Sequence, residues 1–456
     1  MWNWQKLLHV CRRWRHIILA SPRRLDLRIA CNPRTPTRKL LDIWPPFPIS
    51  VSSSPWLRTD ARGKDNVIAA LERRDRVFAI NLSGIPRAEL DHIVATMAEP
   101  FPALTHLHVH PDYDYMKPDW DLTNIEMMAT LVAPLPLPNR FLGGSAPHLQ
   151  ELDLQSISFP AWPNLVLSAS HFQTLRLLNI PRIGYISPQA MINILLALPN
   201  LKSLTIRFAS TESRPLQMNP PPLTRVVLPS LTNFHFYGAS EYLVDFIAQI
   251  DTPLLDWLDM TFFSHAVFEI PRLYKFLDRG DGRKPFIRVE VRLCPQDVIV
   301  FLESLSGFKM DVVCKSDWPL ESMTQLCGQL IPLLSQVERL EIHEDSWERM
   351  LFLDEDEEKW QEIVDDPDWL EFLNLFISVK SLYISDRLGP ILLSVLEKIT
   401  GERVTGVLPA LQNLFIQQLW PHDEFVENTI TSLVSARQLY DHPIVVQCWE
   451  METEFR

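Results

Sequence analysis

One eight-residue pattern, Pro-x-Leu-x-x-Leu/Phe-x-apolar, recurs along the chain and restricts its fold more than any other feature. It appears as PALTHLHV (102–109), PHLQELDL (147–154), PNLKSLTI (199–206), PSLTNFHF (229–236), PLLDWLDM (253–260) and PALQNLFI (409–416). Five segments keep the apolar spacing without the proline: VFAINL (77–82), FQTLRL (172–177), FIRVEV (286–291), VERLEI (337–342) and VKSLYI (379–384). The last apolar positions of each copy alternate with a polar or variable residue, as a short half-buried strand requires. Leu204, Leu258, Leu340, Leu382 and Leu414 share the fourth template position. They are expected to be buried.

Helical patterns lie between the copies: residues 86–97, 187–198, 240–250, 295–305 and 390–400. Several open on Ser or Pro, residues suited to the first turn of a helix. The unit is therefore strand, connection, helix, and the expected class is α/β. From Phe172 the first template position recurs at 172, 201, 231, 255 and 286, in or just above the roughly 20–29-residue period of leucine-rich repeats. These residues resemble the leucine-rich repeat family over about 76–450. The resemblance implies an irregular solenoid with a parallel sheet inside and helices outside. The family often places Asn or Cys eight residues after the first Leu. Here that position holds Asp112, Ile157, Ala209, Ala239, Phe263 or Cys294, so regular turn geometry is not expected. Three segments interrupt the array: 111–146, the Pro-rich 209–223, and the acidic 354–369, read as a solvated insertion or exposed helix.

Charge is divided unevenly. Residues 1–40 carry ten Lys/Arg against the single Asp26, whereas 338–371 carry fifteen acids against three bases. The net charge of −13 argues against nucleic acid as the main partner. Six scattered cysteines, with no C-x-x-C pair, suit reduced thiols in a cytoplasmic or nuclear protein. No apolar run is long enough to span a bilayer, and Arg12, Arg13 and Arg15 break any secretory apolar region. No membrane association is expected.

The basic N-terminal stretch has a pattern of its own. Trp4, Leu7, Cys11, Trp14 and Ile18 fall on one helical stripe, and the arginines lie off it. LLHVCRRWRHII (7–18) resembles the C-terminal helix of F-box domains. The following SPRRLDLRIACNPRTPTRKLLDIWP (21–45) and the later ARQLYDHPIVVQCWE (436–450) are similar to fungal F-box-like proteins with a degenerate leucine-rich array. The resemblance implies three parts: a partial F-box helix over 1–22, a connecting segment or N-terminal cap over 23–75, and the solenoid over 76–456. It also implies a Skp-type adaptor of a ubiquitin ligase as partner, with Leu7, Val10, Cys11, Trp14 and Ile18 in adaptor binding or F-box packing. Packing on the repeats would turn Trp14 inward. The first two-thirds of an F-box, with its Leu-Pro and "IF" helix, would lie upstream of Met1, so weak adaptor binding or none is expected. A mitochondrial presequence, an interfacial membrane helix and a plain helix capping the solenoid are the competing readings.

No phosphate-binding glycine loop and no G-x-S-x-G nucleophile motif is present, so no enzymatic activity and no cofactor are expected. His106, His108 and His110 alternate on one strand face, with Asp112 and Asp114 following. They form a weak metal candidate, because same-face positions along a strand are almost 7 Å apart. An exposed polar face is the better reading. The template places the other outward positions at Glu151, Asp153, Gln155, Ser203, Thr205, Arg207, Asn233, His235, Asp259, Thr261, Glu290, Glu341, His343, Ser381, Ser385, Asn413 and Gln417. Tyr237, Trp257, Arg288, Arg292, Arg339, Tyr383 and Phe415 share this face and are residue types enriched at interface hot spots. They are the expected target-binding residues. The function expected is a protein-interaction module: a substrate receptor of a Skp–cullin–F-box ligase, or a non-catalytic scaffold with no ligase link.

Overall fold

The computed structural model describes residues 10–20, 28–53, 61–111, 135–138, 140–158, 165, 168–209, 225–263, 271–278, 285–293, 297–315, 319–344, 369–385, 388–397, 406–417 and 424–449. The protein is mixed α/β, with a large, mostly parallel sheet and twelve α-helices among these residues. The chain divides into two compact units, one of residues 1–216 and 226–231, the other of residues 217–225 and 232–456.

In the first unit the strands of the large sheet are β1 (Ile29–Cys31), β2 (Ile49–Ser52), β3 (Val77–Ile85), β4 (His106–Pro111), β5 (Glu151–Gln155), β6 (Thr174–Ile180) and β7 (Ser203–Phe208). Each pairs in parallel with the next. The sheet thus begins at Ile29, inside the 23–75 segment. The helices Thr37–Ile43 and Ala61–Leu71 come from that segment as well. Helix Pro188–Leu195 is capped by Ser187, whose Oγ accepts the N–H of Ala190 at 3.2 Å. Ser187→Ala is expected to cost about 1 kcal/mol in urea unfolding.

In the second unit the strands of the large sheet are β8 (Asn233–Gly238), β9 (Trp257–Phe262), β10 (Phe286–Leu293), β11 (Asp297–Ser304), β12 (Lys309–Lys315), β13 (Arg339–Glu344), β14 (Ser381–Ile384), β15 (Asn413–Gln417) and β16 (Val445–Trp449). Their spatial order is β8-β9-β12-β11-β10-β13-β14-β15-β16. All are parallel except β11, which runs antiparallel to β10 and β12. This corrects the helix expected over 295–305. DVIVFLES is a strand because Val298, Val300 and Leu302 alternate into the core, and β-branched residues favour the pleated surface. Gly307, at φ +85°, makes the following turn, in a conformation that glycine adopts without penalty. There Ser304 Oγ accepts the N–H of Phe308 at 3.1 Å.

All eleven template copies are strands. Leu204, Leu258, Leu340, Leu382 and Leu414 are fully buried. Helices seal the apolar side of the strands. In helix Ser240–Ile247, Phe246 lies 5.4 Å from Phe234 and Tyr242 lies 5.8 Å from Phe236 between ring centroids. Trp369, the last residue of the acidic stretch, opens a helix and is fully buried. Residues 354–368 of that stretch, most of 111–146 and most of 209–223 lie outside the described residues.

Candidate functional site

Strand pairing in the second unit aligns outward side chains into rows that cross the sheet. One row reads His235, Asp259, Asp311, Phe301, Glu290, Glu341, Tyr383, Phe415 and Gln447. The row beside it reads Asn233, Trp257, Lys309, Glu303, Arg288, Arg339, Ser381, Asn413 and Val445. Glu290 and Glu341 are direct neighbours, an arrangement that is repulsive unless cations separate them. Three arginines do so. Arg288 donates Nε and Nη2 to the two oxygens of Glu341 and reaches Glu290 Oε2 at 3.1 Å. Arg339 Nε meets Glu341 Oε1 at 2.6 Å, and Arg292 Nε donates to Glu290 Oε1 at 2.7 Å.

Glu341 shows how the balance is struck. Burial pushes its carboxyl up, but hydrogen bonds from His343 and Arg288, with the charges of Arg288 and Arg339, bring it down to about 2. Glu341 is therefore ionised inside the sheet face. The hydrogen bond to Glu341, outweighing burial, holds the Arg288 guanidinium above its usual range.

Beside these charges stands an aromatic group. Tyr383 and Phe415 stack with centroids 4.3 Å apart and planes within 8°. The guanidinium of Arg339 covers Tyr383 at 4.1 Å. Trp449 meets Tyr383 edge-on at 5.4 Å and His343 at 5.7 Å. The structure thus brings Arg288, Arg292, Arg339, Tyr383 and Phe415 together. Tyr237 and Trp257, on β8 and β9, are separated from them by β11 and β12. Tyr237 is half-buried edge-on against Phe263 at 5.1 Å. Trp257 stays exposed, its Nε1 donating to Asp311 Oδ2 at 3.0 Å. Burial, opposed by that bond, raises the Asp311 carboxyl above its usual range, and neighbouring Asp259 adds to the rise.

Four positions expected to face solvent are instead buried: Asp153, Glu341, His343 and Ser385. Strands lie about 4.8 Å apart, so long neighbours such as Arg288, Arg339 and Trp449 roof over shorter side chains. Trp449 was not among the expected site residues. The alternation of VVQCW (445–449) was the available signal, and it lacks the template leucine.

In the first unit His106, His108 and His110 do share a face. His110 Nε2 lies 2.7 Å from Asp153 Oδ1, and His108 lies 3.6 Å from Asp153 and 3.7 Å from Glu151. Arg176 donates to Glu151 at 3.1 Å. Burial lowers the His108 imidazole, against the pull of Glu151 and Asp153. Each imidazole faces a carboxylate, and the rings of His108 and His110 are 6.4 Å apart. Among the described residues no group of three or more His, Cys, Asp or Glu is placed to hold a metal ion. Asp112 and Asp114 lie outside them.

The N-terminal helix spans Arg12–Ala20. Val10, Cys11 and Trp14 are exposed, Trp14 by 47%. This corrects the expectation that Trp14 turns inward on the repeats. The neighbouring helices Thr37–Ile43 and Ala61–Leu71 bury their own apolar residues, Leu41, Val67 and Ala70 among them, without Trp14. Leu7 and the side chain of Ile18 lie outside the described residues. No described helix is long and apolar enough to cross a membrane. Burial holds the thiol of Cys327 at about 12, which leaves it unreactive. No protein-family model matches the chain, and no curated protein matches it.

Proposed function

We propose that this protein is a non-catalytic protein-interaction module, an F-box-like substrate receptor of a Skp–cullin–F-box ubiquitin ligase. In this reading the strands and helices form an irregular leucine-rich-repeat-like solenoid. Its polar strand face holds a protein target, and the helix Arg12–Ala20 contributes to docking on a Skp-type adaptor. The observation that carries the reading is the cluster of Arg288, Arg292, Arg339, Tyr383 and Phe415 on β-strands, fixed by ion pairs and ring stacking. Arginine and large aromatics dominate binding energy at protein interfaces, and rigid placement lowers the entropy lost on association. The exposed Trp14 and Val10 support the docking role, because exposed apolar side chains on a basic helix suit a partner groove.

A second reading, an interaction scaffold with no ligase link, needs only the strand face. A binding titration of the purified chain against a Skp-type adaptor separates the two. The receptor reading expects weak, saturable binding that Trp14→Ala abolishes while the melting temperature stays unchanged. Saturable binding indifferent to Trp14→Ala removes the ligase link and leaves the scaffold.

A further inference from the structure

We propose that Arg292, His343 and Ser385 form a carboxylate-binding subsite that docks an acidic segment of a protein partner. The proposal deepens the reading of the polar strand face as a target-binding surface and does not depend on the adaptor link.

The three residues lie side by side on adjacent strands. Arg292 and His343 are paired positions of β10 and β13. The N–H of Ser385 donates to Ile342 O at 3.1 Å, which extends the pairing of β14 one residue and sets Ser385 opposite His343. His343 Nδ1 and Ser385 Oγ are buried and have no hydrogen-bond partner among the described residues. Their residues are only 4% and 2% exposed. A buried polar atom left unmatched is costly, and nearly all such atoms in folded proteins are satisfied. Two of them at neighbouring positions of one row mark a place where a polar group belongs.

Arg292 supplies the charge. Its Nε is fixed on Glu290, and its guanidinium lies 4.5 Å over the Phe301 ring. The side chain is 40% exposed, and the Nη groups have no further partner among the described residues. One edge of the planar fork is thus held while the other faces outward, the pre-organised geometry for a carboxylate. The nearby acids do not compete for that edge. Glu290 is taken by Arg288 and Arg292, and Glu341 by Arg288, Arg339 and His343. Trp449 forms the apolar wall, 5.7 Å from the His343 ring, its Nε1 donating to Ile384 O at 3.4 Å. A wall that excludes water strengthens any charge-assisted bond made beside it.

His343 Nε2 faces Glu341 Oε2 at 3.4 Å, and the other groups beside the ring are Arg292 on β10, Ser385 at the end of β14 and Trp449 on β16.

The test is fluorescence anisotropy of the full chain with a labelled Gly-Glu-Glu-Gly peptide, its Gly-Gln-Gln-Gly counterpart and inorganic phosphate as competitor. The glutamate peptide is expected to bind about ten-fold more tightly than the glutamine peptide, the scale of one charge-assisted bond. Ser385→Ala, which removes no existing hydrogen bond, is expected to weaken binding without lowering the melting temperature, and Arg292→Met to abolish it. Equal affinity for the two peptides would overturn the proposal, and this comparison uses only the parent protein. Binding indifferent to Ser385→Ala, or displacement by phosphate at peptide-like concentrations, would overturn it too. Loss of adaptor binding in Trp14→Ala leaves it untouched.

Discussion

Replacing Arg288 by methionine is expected to cost about 3 kcal/mol of stability at pH 7, because it strips a buried carboxylate of its principal partner. Glu341 is only 3% exposed, and Arg288 donates to both of its oxygens. Arg339 and His343 remain, which holds the cost at the low end of the range for broken buried pairs. The pH dependence gives the cause away. The folded-state carboxyl lies at about 2, below its ordinary 4.5. A depressed carboxyl contributes stability above its unfolded pKa and loses it as pH falls through the folded one. The deficit of Arg288→Met should therefore be constant above about pH 5 and shrink between pH 4.5 and 2. Urea unfolding of parent and variant at pH 7, 4 and 3 checks this. A deficit that does not vary with pH would mean that Arg288 acts through packing alone.

Leu382→Ala is the second large effect, expected at about 2–5 kcal/mol. Leu382 has no exposed surface, and its paired neighbours Leu340 and Leu414 have none either. Truncation opens a cavity between three strands whose backbones are tied together by hydrogen bonds, so the site cannot collapse to fill it. Ser381→Ala, one residue away and facing outward, is the control and should stay within about 0.5 kcal/mol. A loss below about 1 kcal/mol at Leu382 would contradict its placement at the centre of the sheet.

The strands were legible because the template ties each leucine to a fixed side of the pleat. The 295–305 segment was not. Ile299 and Phe301 are half-buried on the polar face, so the run reads as apolar on all sides and its period of two is hidden. The Leu-Ser-Gly-Phe turn after it (305–308) was the missed signal. For the site, alternation tells which face a residue takes but not its neighbours across the sheet. That β10 lies beside β13 and β11, rather than beside β9, follows from topology. Hence Arg288 and Arg339 were recognisable as surface residues, whereas the burial of Glu341 between them was not. The exposure of Trp14 was hidden for a similar reason: an amphipathic stripe announces that a helix has a partner, not which one.

The inserted strands also impose an order on synthesis. β9 takes β12 as its neighbour, yet β10 and β11 leave the ribosome first. During that interval β9 presents an unpaired edge, and β10 arrives with the same direction and the same alternation. A nascent chain could seat β10 there, one place too early in the sheet. The tight turn at Gly307 works against this error. It lets β11 and β12 close on each other through a short loop, which costs little chain entropy and is fast. β10 then finds its antiparallel partner already formed. The second unit therefore grows at this point by a block of three strands.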